Sequence, residues 1–279
     1  MVEYKDLNNY NLETKKKFFT IAEIGINHQG DLEKAKQLIK SASFTGCNAV
    51  KFQTYITENR VDKDSSIYDI LKKCELNFKD FEILKNVAEE NNLIFFSTPF
   101  DTESVNVLNQ IGCKIFKIAS FDSANKKLLS EVSKVSKTSI LSSGISQLSE
   151  LKEAYKILNS NNNKTIILHC VSSYPTKIAD ANLSKIDTLK NHFDCLVGHS
   201  DHTNDIFIPL LAAAKGAQVL EKHYKIDENM DCPDSVVSIT ENQMKQLNEQ
   251  LFQLEEALGN NEIKIQSSEK DILPFKRYS

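Results

Sequence analysis

The stretch "FFTIAEIGINHQGDLEKAKQLIKSASFTGCNAVKFQT", residues 18–54, decides the fold. Residues 18–24 are a short run of aromatic and β-branched side chains, which predicts a strand. Asp31 is placed to cap the amphipathic helix predicted over 31–43, and 48–54 reads as a second strand. Two strands joined through a helix run parallel. Working outward, the unit recurs. Helices are predicted over 78–90, 102–111, 125–134, 146–158, 205–215 and 240–258, with a weaker one over 182–192. Strands are predicted over 93–98, 114–120, 138–143, 165–173, 195–200 and 217–224. Eight strand-plus-helix units predict an α/β fold, a single-domain (β/α)8 TIM barrel, in preference to an open doubly wound sheet. No linker divides the chain. One insertion, residues 54–77, carries Tyr55, Arg60, Tyr68 and Cys74 and reads as a loop suited to a lid or a partner contact.

Composition narrows the function classes. Apolar residues make up 41% of the 279 and charged residues 26%, with a net charge of −4. That is ordinary for a soluble globular chain, and no basic block argues for nucleic acid. No apolar run is long enough for a membrane span. The first residues, "MVEYKDLNNYNLETKKK", lack the apolar core of a secretion signal, so the expectation is a cytoplasmic protein. Six scattered cysteines without a CxxC pair predict reduced, mostly buried thiols.

In a barrel of this type the site is built at the C-terminal strand ends, and those ends carry chemistry. Glu23, Lys51 and Lys117 sit inside otherwise apolar strands, where a charge costs several kcal/mol unless paired or met by a ligand. Strand ends also supply Gln53, Thr98, Ser120, Ser142, Ser172, Tyr174, Ser200 and Glu221. Two lysines with several hydroxyls describe an anion site, most simply for a phosphate. There is no GxxxxGK[ST] and no GxGxxG. The same lysines also suit a Schiff-base aldolase, and the sequence leaves that choice open. His202 and His223 end successive strands, and imidazole suits a transition metal, so the pair reads as metal ligands. His199, His28, His169 and His192 read as structural.

Seven ordered motifs are specific enough for a resemblance. "IAEIGINHQGDLEKAKQLI", "AVKFQTY", "FSTPFD", "FKIAS", "HCVSSYPT", "GHSDHT" and "LEKHY" followed by "CPD" resemble the sialic acid (N-acetylneuraminate) synthase family over nearly the whole chain. The resemblance implies condensation of phosphoenolpyruvate with an N-acyl hexosamine, N-acetylmannosamine or a related sugar. The products would be a sialic-acid-type nonulosonic acid and phosphate. It implies a divalent metal, manganese or magnesium with cobalt as a further candidate, held by His202 and His223. Glu23 would be the acid/base, with His223 as the second catalytic residue. Lys51, Thr98, Lys117, Ser120, Ser142 and Ser200 would hold phosphoenolpyruvate, together with Ser172, which stands where some members have Asn. Gln53, Tyr174 and Asp234 would contact the sugar. Asp122 falls where many members have Glu, and Cys232 replaces a glycine usual before "PD".

The resemblance further implies a homodimer, and small-molecule partners alone: no nucleic acid, no membrane. It sets the barrel at 1–275 and makes 266–279 the start of a linker to an antifreeze-like domain that many members carry. A non-catalytic sugar-phosphate-binding protein is the reading from another class.

Overall fold

The computed structural model describes residues 18–260 and 262–277. The leader-free reading of residues 1–17 lies outside them. Eight strands close into one parallel barrel in chain order: β1 (Phe19–Gly25), β2 (Ala49–Thr54), β3 (Ile94–Pro99), β4 (Ile115–Ile118), β5 (Thr138–Ser142), β6 (Lys164–Cys170), β7 (Val197–Asp201) and β8 (Val219–His223). β8 pairs back onto β1. The (β/α)8 expectation holds.

The helices are α1 (Leu32–Ser43), α2 (Thr57–Arg60), α3 (Tyr68–Cys74), α4 (Phe78–Glu90), α5 (Thr102–Gln110), α6 (Lys126–Val135), α7 (Leu148–Leu158), α8 (Lys185–His192), α9 (Phe207–Ala214) and α10 (Glu241–Leu258). Asp31 caps α1 as expected, its carboxylate accepting from the backbone N–H of Glu33 and Lys34 at 2.8 and 3.0 Å. Asp101 does the same for α5 at Ser104 N–H, 2.7 Å. Among the described residues no helix is long and apolar enough to cross a membrane. All six cysteines are free thiols, five of them buried.

Strand side chains alternate between the two faces of the sheet, and that alternation organises the whole interior. Outward residues such as Ala22, Val50, Phe52, Phe95, Phe116, Leu141, Ile167 and Leu220 pack under the helices in the main core. Inward, Ile21, Ala49, Phe96, Ile115, Ile140, Leu168 and Val219 fill the barrel with an apolar plug. Gly198 belongs to that layer too: a Cβ there would lie 2.2 Å from Val219 O and 2.5 Å from Leu168 Cδ2. The plug seals one end, so a ligand can enter only from the other.

Two details differ from the sequence reading. β4 stops at Ile118, and Ser120–Asp122 forms a 3-10 turn. β6 stops at Cys170, so Ser172 and Tyr174 stand on the following loop. The insertion is not an open loop. It folds into α2 and α3, because Leu71 and Cys74 bury themselves with Ile26 and Tyr55 in a small satellite core beside Phe100. The Tyr55 hydroxyl donates to Leu71 O at 2.9 Å, and Ile56 N–H donates to Asp101 at 2.9 Å. Residues 267–275 form an exposed 3-10 helix.

Candidate active site

Counting two residues on from the plug along each strand gives the next inward layer: Glu23, Lys51, Thr98, Lys117, Ser142, Cys170, Ser200 and Glu221. Two further on lie Gly25, Gln53, Gly144, His202 and His223. An apolar floor, a charged layer and an imidazole layer are therefore stacked by the period of the strand itself. They open into a cavity of about 720 Å3.

The charged layer is a connected network. Lys51 Nζ is 2.8 Å from Glu23 Oε2 and 3.8 Å from Glu221 Oε2, and it donates to Thr98 Oγ1 at 3.2 Å. Lys117 Nζ donates to Ser142 Oγ at 2.7 Å and lies 3.7 Å from Glu221 Oε1. Ser200 Oγ donates to the same Glu221 oxygen at 2.9 Å. All four charges are buried. Burial by itself raises a carboxyl pKa, and for Glu23 it outweighs Lys51, so its carboxyl sits above the ordinary value. For Glu221 burial is overcome by Lys117 and then Lys51, which hold it below. Burial pulls Lys117 below its ordinary value. For Lys51 the carboxylates of Glu221 and Glu23 outweigh burial and hold it above.

Beside the two ammonium groups is a hydroxyl cradle. A Cβ at Gly144 would come 2.3 Å from Ser172 Oγ and 2.7 Å from Ser120 Oγ. Ser172 Oγ is buried without a hydrogen-bond partner, as is Glu221 Oε2. The unpartnered Ser172 hydroxyl and the two ammonium groups are donors that an anionic ligand can use; the Glu221 oxygen is an acceptor and calls for a donor instead.

The imidazole layer forms the upper wall. His202 and His223 have ring centres 5.4 Å apart. His202 Nδ1 faces Val171 O at 2.8 Å, which fixes Nδ1 as the donor and leaves Nε2 with its lone pair. His223 Nδ1 is 3.2 Å from Asp234 Oδ2, off the line of a hydrogen bond. With metal–nitrogen distances of about 2.1 Å, rings at this separation can serve one ion. Among the described residues no group of three or more His, Cys, Asp or Glu surrounds a common ion position. The pair would suit a borderline divalent ion, with water or substrate supplying the other ligands. Tyr174 packs its ring on His202, 4.0 Å between centres.

Glu23, Lys51, Thr98, Lys117, Ser120, Ser142 and Ser200 line the cavity, as do Gln53, Tyr174, His202, His223 and Asp234. Asp122 does not: the 3-10 turn directs its carboxylate to Asn125 Nδ2 at 3.0 Å. Ser172 is not among the lining residues; its Oγ stands where a side chain on Gly144 would sit. Among the other histidines, His169 Nε2 meets Ala181 O at 2.7 Å. His199 Nδ1 meets His169 O at 3.0 Å. His28 accepts from Gly30 N–H at 3.0 Å, and burial brings its pKa down to about 4. His192 faces solvent. The sequence reading named Glu221 only as a strand-end group and Arg60 only on the insertion, and gave no site role to Cys170 or Phe100; all four line the cavity. For Glu221 and Cys170 the signal was available: each lies two residues beyond a plug residue.

The family model described as "NeuB family" matches residues 38–263. The chain belongs to the NeuB family. It is 42% identical to an uncharacterised protein of Methanocaldococcus jannaschii, over 94% of this chain and 78% of that one. It is 38% identical to the N,N'-diacetyllegionaminic acid synthase of Campylobacter jejuni, over 95% of this chain and 84% of the relative. Among solved structures, the N-acetylneuraminic acid (sialic acid) synthetase of Leptospira borgpetersenii serovar Hardjo-bovis superposes with a TM-score of 0.89 at 38% identity, covering 93% and 91% of the two chains. That structure is a complex with citrate.

Proposed function

We propose that this NeuB-family barrel condenses phosphoenolpyruvate with an N-acyl hexosamine, giving a sialic-acid-type nonulosonic acid and phosphate. The observation that carries the proposal is the stacking of a lysine–serine anion cradle directly beneath a pair of imidazoles in one cavity. Lys51, Lys117, Thr98, Ser120, Ser142, Ser172 and Ser200 suit the carboxylate and phosphate of phosphoenolpyruvate. Gln53, Tyr174 and Asp234 suit the sugar above. His202 and His223 would hold a divalent ion, which when bound supplies Lewis-acid polarisation of the sugar carbonyl.

In this reading the methylene carbon of phosphoenolpyruvate attacks the open-chain aldehyde carbon. Glu23, whose carboxyl burial holds above its ordinary value, gives its proton to the aldehyde oxygen. The carboxylate so formed takes a proton from the water that adds to C2. The C2 adduct, carrying both hydroxyl and phosphate, then loses phosphate with C–O cleavage, the hydroxyl proton leaving with the phosphate, and the 2-keto acid remains. The two lysines hold the anion in place, and positioning accounts for much of the acceleration.

Phosphate release from phosphoenolpyruvate against a panel of amino sugars, with a chelator and after adding manganese, tests this. Sugar-dependent release restored by manganese is the expected result; release indifferent to every amino sugar rules the proposal out. A Schiff-base aldolase keeps one supporting observation, since burial pulls Lys117 toward its neutral form. Borohydride trapping of a keto acid on Lys117 would replace the condensation with that chemistry.

A further inference from the structure

Arg60 is the last residue of α2, on the insertion, and it lines the cavity. Its guanidinium carbon sits 3.6 Å from the centre of the Phe100 ring and 4.6 Å from that of Tyr55. Nη1 donates to Gln53 Oε1 at 3.0 Å. Among the described residues no carboxylate lies within ion-pair distance of it. A guanidinium has five donors and no acceptor; here one donor is committed and two aromatic rings fix the plane. The remaining donors belong to a rigid fork in the cavity wall.

Three features narrow what that fork receives. Burial is the largest influence on Arg60 and the fields of Tyr55, Asp122 and Asp234 only partly offset it, so its free donors call for an acceptor from a ligand. The insertion brings Ile67, Ile70 and Leu71 to the same cavity, and Ile67 and Ile70 are exposed there at 46% and 49%. A ligand group for this corner combines a hydrogen-bond acceptor with a small apolar end, which describes an N-acyl substituent. Gln53 adds register: because Arg60 only donates, the Gln53 oxygen turns to it and Nε2 turns to Glu23 Oε1, 3.3 Å away.

We infer that Arg60 is a specificity-determining residue that binds the acyl oxygen of the amino sugar, with the acyl carbon end received by the apolar side chains of α3 and the segment before it. This rests on the condensation reading above. The test is steady-state kinetics of the unaltered chain, Arg60→Ala and Arg60→Lys. The sugars are N-acetylmannosamine and a diacetamido-trideoxy hexose, each against its free-amine counterpart. A hydrogen bond from a charged donor converts to a change of roughly 10- to 100-fold. Arg60→Ala should therefore cut the acyl-over-amine ratio of kcat/KM by about that factor. KM for phosphoenolpyruvate should stay within about threefold, since the anion cradle is untouched. Arg60→Lys, which keeps charge without the fork, should fall between and reads the same ratio if the alanine variant folds poorly. An unchanged acyl-over-amine ratio in both variants overturns the assignment while leaving the condensation intact, and so does a parallel rise in KM for phosphoenolpyruvate. Absence of phosphate release by the unaltered chain with every sugar overturns the condensation and the assignment together.

Discussion

Lys51 Nζ lies 2.8 Å from Glu23 Oε2, and the two residues are register partners on neighbouring strands. His223 is the register partner of Glu23 on the other side. Barrel closure, which sets β8 against β1, therefore puts one carboxyl between an ammonium and an imidazole. Residues 23 and 223 meet only because eight parallel segments return to their start.

Glu23→Gln tests the proton role assigned to that carboxyl. The amide keeps the shape and one acceptor, so binding of phosphoenolpyruvate should change little. Turnover should fall by about 10²–10⁴, the usual worth of a positioned acid/base. Burial holds the Glu23 carboxyl above its ordinary value, so the limb it contributes to the rate profile lies above pH 4.5. Because the condensation starts from the protonated carboxyl, kcat falls as pH rises through that limb. The glutamine variant should lose the limb, and a profile identical in shape to that of the unaltered enzyme removes Glu23 from proton transfer.

Gly144→Ala separates ligand binding from folding. The new methyl would meet two serine hydroxyls, at 2.3 and 2.7 Å, which can rotate away, and Ser120 Cβ at 3.2 Å, which cannot. Stability should fall by about 1–3 kcal/mol, the usual cost of overpacking. The re-aimed hydroxyls should raise KM for phosphoenolpyruvate at least about tenfold, the scale of one lost bond to a charged ligand. Thermal melting and KM measured on one preparation check both halves. A loss of stability with unchanged KM counts against the cradle.

Much of this site is readable from strand period alone. Once Ile21, Ala49, Ile115 and Val219 are recognised as inward, Glu23, Lys51, Lys117 and Glu221 follow two residues later, and Lys222 is assigned outward. Glu221 is legible as a strand-end group but not as the partner of both lysines, because a lone acid there looks like any other until the phase of its strand is fixed. Arg60 carries no periodic signal: its place depends on Phe100, which follows β3, and on Tyr55, after β2. Asp122 was carried over from a motif position, and the short turn at Ser120–Asp122 sends it toward Asn125 instead. The helices of the insertion were hidden by the charges around Leu71 and Cys74, whose burial needs Ile26 from another loop.

Removing a histidine should uncouple the imidazole layer from the anion cradle. His202→Ala leaves the lysines and hydroxyls in place, so phosphoenolpyruvate binding by calorimetry should persist. Manganese binding should weaken beyond the 10- to 100-fold typical of losing an outer partner of a ligand. Asp234→Asn, which changes the neighbour of His223 Nδ1, should fall within that range. Manganese affinity equal in all three proteins would show that the two rings hold no ion.

The outward face of the same strands makes a prediction about stability. Lys222 Nζ lies 2.6 Å from Asp201 Oδ2, and Asp201 Oδ1 is 3.4 Å from His199 Nε2; all three side chains are buried. Burial raises the Asp201 carboxyl, but the close approach of His199 Nε2 and the charge of Lys222 outweigh it and hold it below the usual range. Burial also pulls Lys222 down despite its partner, so the pair fixes geometry more than it adds net stability. Because the folded-state value is depressed, the Asp201 contribution is complete above the unfolded value of about 3.9. It is lost as pH falls through the folded-state value. Asp201→Asn leaves an ammonium buried without its counter-ion and should cost about 3–5 kcal/mol at neutral pH. Adding Lys222→Met should recover most of that, since an apolar side chain of similar length needs no partner. Urea unfolding of both variants gives the two numbers. A single variant that loses under about 1 kcal/mol would mean that water reaches Lys222 and that the outer layer is less dry than its burial indicates.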